Sequence, residues 1–167
     1  MRYSVKAILL IDHGSRLAQA NHMLECMANL VQAMVGGSAI VRHAHMELAE
    51  PDIGQGVDAC VAAGADEVIA FPYMLSPGRH STSDIPRLVA HAAARHPGVT
   101  VRTTASFGVH EKLAEVILLR AGVAPVLLPD AASACRCWHP SRSGTACGDA
   151  CRARTAEDEP ASLAAAG

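Results

Sequence analysis

The sequence predicts an α/β protein built on an open parallel sheet. Short apolar runs, typical of strands buried on both faces, alternate with longer runs whose apolar residues recur every three or four positions, as on one side of a helix. Strands that alternate with helices form βαβ units, and right-handed crossovers make such strands parallel. We expect four strands in the order 2-1-3-4, with helices on both faces of the sheet.

The first half of the chain contains two predicted strand–helix units. The first strand covers residues 5–11 and is almost continuously apolar. The helix after it has an apolar stripe made of Leu17, Ala20, Leu24, Met27, Val31 and Met34. Two glycines at 36–37 end this helix. The second strand covers about 38–45, and the second helix starts near residues 51–52 and stops at Gly64.

The second half repeats the alternation. Strands are predicted at 67–71 and 99–104, and the last helix at about 110–121. A longer loop follows the third strand. Ser83 or Asp84 is predicted to cap the third helix, because Pro86 then lies in its first turn, where proline is tolerated.

Composition excludes several classes of function. The chain has 14 Lys and Arg against 16 Asp and Glu, and this net charge of −2 argues against a nucleic-acid-binding surface. No apolar run approaches the roughly 20 residues of a membrane span, so no membrane association is expected. Residues 1–10 are interpreted as the start of a strand rather than a signal peptide. We therefore expect a cytoplasmic protein with reduced cysteines.

The helix and strand patterns stop near residue 128. We expect an α/β domain at 1–128 and a flexible tail at 129–167, where small and polar residues predominate. The tail contains four cysteines in two pairs, Cys135, Cys137, Cys147 and Cys151. Four thiols could bind a metal ion or an iron–sulfur cluster. Their Cys-x-Cys and Cys-x3-Cys spacings differ from the Cys-x2-Cys pairs of common zinc sites, which favours a tail without such a site.

Candidate functional residues follow the strands, because open parallel sheets bind ligands at the carboxyl ends of their strands. His13 follows the first strand, His45 and Glu47 lie at the end of the second, and His80 closes the loop after the third. With strand order 2-1-3-4, His13 and His80 face each other across the switch point. Two neutral imidazoles and a carboxylate suit a borderline divalent metal such as cobalt, nickel or iron.

Other histidines have simpler interpretations. Those on helices or at helix ends are predicted to be surface or capping residues; they are His22, His91, His96 and His110. His43 points to the same face of the second strand as His45 and is predicted to be structural. Asp12 either orients the imidazole of His13 or caps a turn, and we favour the turn.

Three motifs together resemble a known family. They are His13-Gly14-Ser15-Arg16, Met46-Glu47-Leu48-Ala49-Glu50-Pro51, and Pro72-Tyr73-Met74-Leu75-Ser76-Pro77-Gly78-Arg79-His80 followed by Asp84-Ile85-Pro86. In this order and spacing they resemble the short sirohydrochlorin chelatases, the CbiX/SirB-type class II chelatases. The resemblance covers about residues 4–122. It implies a flavodoxin-like chelatase domain that inserts cobalt, iron or nickel into sirohydrochlorin without ATP, toward cobalamin or siroheme.

The resemblance also implies roles for single residues. The two metal-binding, catalytic histidines of the family match His13 and His80, and the acidic residue of its site matches Glu47. Many relatives carry Phe where His45 stands, so His45 is either an additional binding residue or a replacement that fills the same space. Larger relatives have two such domains facing across a cleft, so a one-domain chain is expected to form a homodimer.

Sirohydrochlorin carries eight carboxylates, and cationic side chains should therefore position it. Arg16 and Arg79 lie near the predicted mouth of the site and can form charge-assisted hydrogen bonds. Arg87 is nearby as well, although solvated surface charge explains it equally well. Gly78 would let a broad, flat ligand approach the backbone closely.

Two alternative functions stay open. The first is a non-enzymatic metal carrier or tetrapyrrole-binding protein on the same scaffold, a role that the cysteine tail would suit. The second is a flavodoxin-like module that binds a phosphorylated ligand. The second is disfavoured because the sequence has no Gly-x-Gly-x-x-Gly run and no Gly-Lys-Ser/Thr motif.

Overall fold

The computed structural model of the protein describes residues 4–124. Its sheet contains β1 (Lys6–Asp12), β2 (Ile40–His45), β3 (Glu67–Pro72) and β4 (Thr100–Thr103). The strands are parallel and lie in the order β2-β1-β3-β4, which confirms the predicted order. The chain order therefore reverses at β1, and the loops after β1 and β3 leave the same edge of the sheet side by side.

The helices are α1 (Ala18–Val35), α2 (Ile53–Ala62), α3 (Ile85–Ala93) and α4 (Glu111–Ala121). The sheet and the first three helices form one compact unit that ends at Ser106, and α4 belongs to a second unit that begins at Phe107. The predicted boundary between residues 128 and 129 lies outside the described residues and stays a prediction. Among residues 4–124, no helix combines the length and apolar character needed to cross a bilayer.

Helices cover both faces of the sheet, as predicted, because alternate residues of β1 point to opposite sides. Leu9 and Ile11 are fully buried in the larger core cluster, together with Val57 of α2 and Ile85 of α3. Leu10 points the other way and packs in a second cluster formed with α1. The almost continuous apolar run of the first strand is thus the signature of a central strand covered on both sides.

The start of α2 is the best-defined helix end. The Asp52 side chain accepts a hydrogen bond from the Gln55 N–H at 2.8 Å, and the Gln55 side chain accepts one from the Asp52 N–H at 2.7 Å. This reciprocal pair is a capping box, which satisfies two backbone donors at the helix start. It confirms the helix start predicted near residues 51–52.

The third helix starts at Ile85, with Asp84 at the predicted cap position and Pro86 in the first turn, but the Asp84 side chain forms no capping bond. Residues His80–Asp84 form a π-helical turn that runs directly into α3, in which the Ile85 N–H donates to the His80 carbonyl. Asp84 has helical backbone angles (φ −69°, ψ −49°) and makes no capping bond. Pro86 has no N–H to offer an α-helical turn here, and the wider π turn accommodates that loss.

A glycine in α2 sets how closely this helix packs on the sheet. A Cβ at Gly56 would lie 2.8 Å from both the Ala44 Cβ and a Leu9 methyl. We expect Gly56→Ala to lower the free energy of unfolding by about 1–3 kcal/mol, because this overpacking outweighs the roughly 1 kcal/mol advantage of Ala in a helix. Urea unfolding followed by circular dichroism measures the change.

Gly54→Ala is the matched control in the same helix. Its added methyl would meet the flexible guanidinium end of Arg95 at 3.1 Å and the Asp52 carboxylate at 3.2 Å, instead of the sheet. We expect a change below about 1 kcal/mol. Equal losses of stability in the two variants would show that close packing of Gly56 on the sheet is not what destabilises Gly56→Ala.

Candidate active site

The loops after β1 and β2 are joined by backbone hydrogen bonds that continue the parallel pairing beyond the strand ends. The Met46 N–H donates to the Asp12 carbonyl at 2.9 Å, and the Glu47 N–H donates to the His13 carbonyl at 3.1 Å. This pairing brings the side chains of His13 and Glu47 together, with the His13 Nε2 lying 2.9 Å from a Glu47 carboxylate oxygen. The two loops are thus in contact through their backbones as well as through their side chains.

Gly14 permits this close approach. Its backbone is left-handed (φ 83°), and a Cβ at this position would lie 1.9 Å from the Glu47 carbonyl oxygen. No other residue type fits, since any side chain would push the two loops apart. The glycine of the His13-Gly14 motif is therefore needed for loop packing, and no phosphate ligand is required to explain it.

The two histidines predicted to face each other do meet. The ring centroids of His13 and His80 are 5.1 Å apart, with the ring planes at 76°. Two imidazoles bound to one cation through nitrogens at about 2.1 Å would have centroids roughly 4.6–5.3 Å apart, for ligand angles of about 90–110°. The observed separation therefore suits a shared cation.

Each ring has an acceptor next to its Nδ1, and the His13 ring has a second one, Glu47, next to its Nε2. The Nδ1 of His80 lies 2.9 Å from an Asp84 carboxylate oxygen, and the Nδ1 of His13 lies 3.2 Å from the Gly14 carbonyl oxygen. A proton on each Nδ1 satisfies these acceptors, and each Nε2 then carries the lone pair that a metal requires. This assignment is inferred from hydrogen-bond partners.

The contact between His13 and Glu47 also suits a cation. A lone pair on the His13 Nε2 would repel a carboxylate oxygen 2.9 Å away unless a proton or a metal ion lies between them. Two ligand atoms bound at about 2.1 Å and about 90° apart are roughly 3.0 Å from each other. In the part of the chain that the structure describes, no set of three or more His, Cys, Asp or Glu side chains is arranged to hold a metal ion. The metal-binding features are therefore pairwise contacts centred on His13.

His45 lies behind these residues. Its side chain is only 1% exposed, and its Nδ1 lies 2.6 Å from the Asp12 Oδ1 atom. The same carboxylate oxygen accepts a hydrogen bond from the Gly14 N–H at 2.9 Å. Asp12 thus caps the turn, as predicted, and it contacts His45 rather than the His13 imidazole. The buried ring of His45 has no exposed surface with which to touch a ligand directly.

The other predicted binding residues are exposed. The Arg79 side chain is 86% exposed, and its Nε lies 3.9 Å from Asp84. Arg16 is exposed next to the His13 turn, and a Cβ at Gly78 would meet nothing within 4 Å. All three residues follow strand ends at the same edge of the sheet as the histidine pair. Their roles toward a ligand stay predictions.

The remaining histidines have local partners. His22 contacts Glu25 on α1, His96 contacts Asp58, and His110 caps α4 through its ring. His91 lies in the last turn of α3. Burial lowers the pKa of His43, and the neighbouring His45 lowers it further, so His43 stays neutral at pH 7, consistent with the structural role predicted for it.

Asp84 is the residue at the site whose role the sequence interpretation missed. Its contact with His80 depends on the helical turn that brings residues four apart together. The His-x3-Asp spacing is present in the sequence, but it predicts this contact only if residues 80–84 form a helical turn, whereas the pattern there predicts a loop. The cysteines predicted as possible ligands, Cys135, Cys137, Cys147 and Cys151, lie outside the described residues.

An open parallel sheet with imidazoles and a carboxylate at its carboxyl edge defines the class: a flavodoxin-like α/β domain whose binding edge carries groups suited to a metal ion. The family model CbiX matches residues 7–124. The chain therefore belongs to the CbiX family, and the predicted resemblance is confirmed.

Individual relatives agree with this assignment. The chain is 43% identical over 110 residues to the chloroplastic sirohydrochlorin ferrochelatase of Arabidopsis thaliana, covering 66% of this chain and 48% of the relative. It resembles the structure of the sirohydrochlorin chelatase SirB from Bacillus subtilis subspecies spizizenii in complex with cobalt. That likeness has a TM-score of 0.65 and 30% identity, and it covers 71% of this chain and 50% of SirB.

A third relative matches over nearly its whole length. The CbiX structure from Marinobacter aquaeolei VT8 has a TM-score of 0.59 and 28% identity, and the match covers 70% of this chain and 94% of that protein. By contrast, the chain spans about half the length of SirB and of the Arabidopsis relative. The family thus includes proteins of at least two sizes.

Gly14→Ala tests whether loop packing holds Glu47 next to His13. The added methyl would overlap the Glu47 carbonyl oxygen, so the two loops must separate. We expect a loss of stability above about 2 kcal/mol and a weaker affinity for Co²⁺ alone. Urea unfolding and isothermal titration calorimetry measure the two effects.

Gly64→Ala is the matched control, because Gly64 is also left-handed (φ 96°) but a Cβ there would meet nothing within 4 Å. We expect this variant to lower the free energy of unfolding by about 1–2 kcal/mol, the cost of a left-handed backbone for a residue with a Cβ, and to leave Co²⁺ affinity unchanged. A Gly14→Ala variant that behaves like Gly64→Ala would show that the contact with Glu47 has no role in the site.

Proposed function

We propose that this protein inserts a divalent metal into sirohydrochlorin without ATP, with cobalt, iron or nickel as the metal substrate, in a route toward cobalamin or siroheme. The observation that carries the proposal is the pair of imidazoles, His13 and His80, 5.1 Å apart at the carboxyl edge of the sheet with an acceptor next to each Nδ1. Relatives named as sirohydrochlorin ferrochelatase and as SirB in complex with cobalt support the same chemistry.

In the proposed reaction, His13 and His80 hold the incoming metal through their Nε2 atoms beneath the ring. Insertion releases two protons from pyrrole nitrogens of sirohydrochlorin. Glu47 is suited to accept a proton, because its carboxylate lies next to His13 and its side chain is 53% exposed. As the metal moves to the ring nitrogens, the imidazoles lose a ligand partner and can also take up protons.

The carboxylates of sirohydrochlorin need cationic partners, and we assign this role to Arg16 and Arg79. Support for Arg79 comes from its 86% exposed side chain, which is free to turn toward a ligand while its neighbour Asp84 faces His80. Guanidinium groups bind carboxylates through paired hydrogen bonds. The open space at Gly78 suits the edge of a flat macrocycle that lies on the loop.

Replacing the two histidines tests the proposal. We expect His13→Ala and His80→Ala to lower the rate of metallation of sirohydrochlorin by about a hundredfold or more, since removing a direct ligand should cost at least as much as the 10- to 100-fold losses typical of its supporting partners. The assay follows the visible spectrum of sirohydrochlorin with Co²⁺, Fe²⁺ or Ni²⁺, and circular dichroism verifies that each variant is folded.

His22→Ala and His91→Ala are matched controls on helices and should keep the wild-type rate. Product must exceed one equivalent per chain; a reaction that stops at stoichiometry would instead identify a metal carrier or a tetrapyrrole-binding protein. Undiminished metallation by the double variant of His13 and His80 would refute the proposed site.

We further propose that two copies of the chain form a homodimer, which supports the site by facing one domain with another. The support is that the match covers 94% of the CbiX protein from Marinobacter aquaeolei VT8 but 50% of SirB, so relatives occur at about one and about two lengths of the matched region. Sedimentation velocity should give a mass twice that of the 17.4 kDa chain at assay concentrations. A monomer that metallates sirohydrochlorin at the full rate would contradict this proposal.

A further inference from the structure

We infer that the carboxylate of Asp12 and the buried ring of His45 form a positioning pair that sets the metal affinity of His13 without touching metal or substrate. The His45 Nδ1 lies 2.6 Å from the Asp12 Oδ1, and the ring is 1% exposed. The inference rests on the proposed metal-binding role of His13. It assigns to His45 a function different from direct ligand binding.

The pair is connected to His13 through two hydrogen bonds. The Asp12 Oδ1 accepts from the Gly14 N–H at 2.9 Å, and the Gly14 carbonyl lies 3.2 Å from the His13 Nδ1. The orientation of the Gly14 peptides therefore depends on Asp12, and the orientation of the His13 ring depends on Gly14. His45 holds the carboxylate at the start of this chain of contacts.

The strand register brings the two partners together. Asp12 and His45 are paired residues on neighbouring parallel strands, β1 and β2, so their side chains lie next to each other on one face of the sheet. The backbone of His45 is held as well, since its N–H donates a hydrogen bond to the Pro51 carbonyl at 2.8 Å. Both its backbone and its ring are thus fixed in place.

Filling space does not account for a histidine here. An apolar ring would fill a buried site of this size without the cost of desolvating a polar one. What the imidazole adds is a donor directed at Asp12, which keeps a single carboxylate oxygen aimed at the Gly14 N–H. Partners that orient a metal ligand in this way typically change metal affinity by 10- to 100-fold when they are removed.

Titrations with Co²⁺ alone test the inference in the full chain. We expect His45→Phe, which keeps an aromatic ring but removes the donor, to raise the Kd for Co²⁺ at least about tenfold and to alter the visible d–d spectrum of the bound ion. His45→Asn, which keeps an N–H donor near the Nδ1 position, should restore affinity to within about threefold. His43→Phe is the matched control on the same face of β2 and should leave the Kd unchanged.

Urea unfolding of the same variants separates positioning from stability. If His45→Phe and His45→Asn lose stability equally while both bind Co²⁺ like the wild type, the pair is merely structural and the inference is overturned. Asp12→Ala and Asp12→Asn repeat the comparison from the carboxylate end, so a His45→Phe chain that does not fold leaves the test intact. An Asp12→Ala variant with wild-type Co²⁺ affinity would also overturn the inference.

These measurements also separate this inference from the proposed function. If the wild-type protein fails to metallate sirohydrochlorin but His45→Phe still weakens Co²⁺ binding, the positioning pair is supported and the proposed chelatase function is refuted. If the wild type metallates sirohydrochlorin and His45→Phe has an unchanged Kd for Co²⁺, the proposed function is supported and the positioning pair is refuted.

Discussion

The site depends on the parallel pairing of β1 and β2, which continues past the ends of both strands. Hydrogen bonds from Met46 and Glu47 to the carbonyls of Asp12 and His13 bring two loops into register where loops usually diverge. Gly14 makes this possible, because a side chain there would overlap the Glu47 carbonyl. The parallel backbone pairing thus extends into the site and places Glu47 next to His13. The contact between them therefore depends on backbone hydrogen bonds as well as on the side chains.

The two imidazoles are supported in different ways. His13 is oriented by backbone atoms of a tight turn, whereas His80 is oriented by Asp84 within a π-helical turn. They meet because the strand order reverses at β1, which places the loop after β3 next to the turn after β1. Each ring therefore has its own acceptor, and the ring centroids lie 5.1 Å apart.

Apolar periodicity identifies the strands, and with the order 2-1-3-4 the switch-point rule selects the His13–His80 pair at their carboxyl ends. Periodicity does not determine that order, because it does not state which strands are neighbours. The π turn that precedes α3 is not predicted, because such a turn has no periodic signal of its own and the lack of an N–H on Pro86 acts on hydrogen bonds that only coordinates define. The Asp12–His45 bond joins residues 33 apart, so it depends on the register of two strands, which the sequence does not state.

In the proposed reaction the site must bind a metal and then pass it on, and the geometry divides these opposing requirements among residues. Binding needs oriented lone pairs, which the Nε2 atoms of His13 and His80 supply without adding charge when acceptors hold the protons on the Nδ1 atoms. Release is easier when a proton can take the place of the metal on its ligands, and imidazole and carboxylate groups can both accept a proton. Glu47 is exposed, so its carboxylate lies where a ligand can approach. His45 is buried, so its contact with Asp12 lies on the protein side of the site. Orientation can thus be rigid at the back of the site while protons and metal exchange at its open edge.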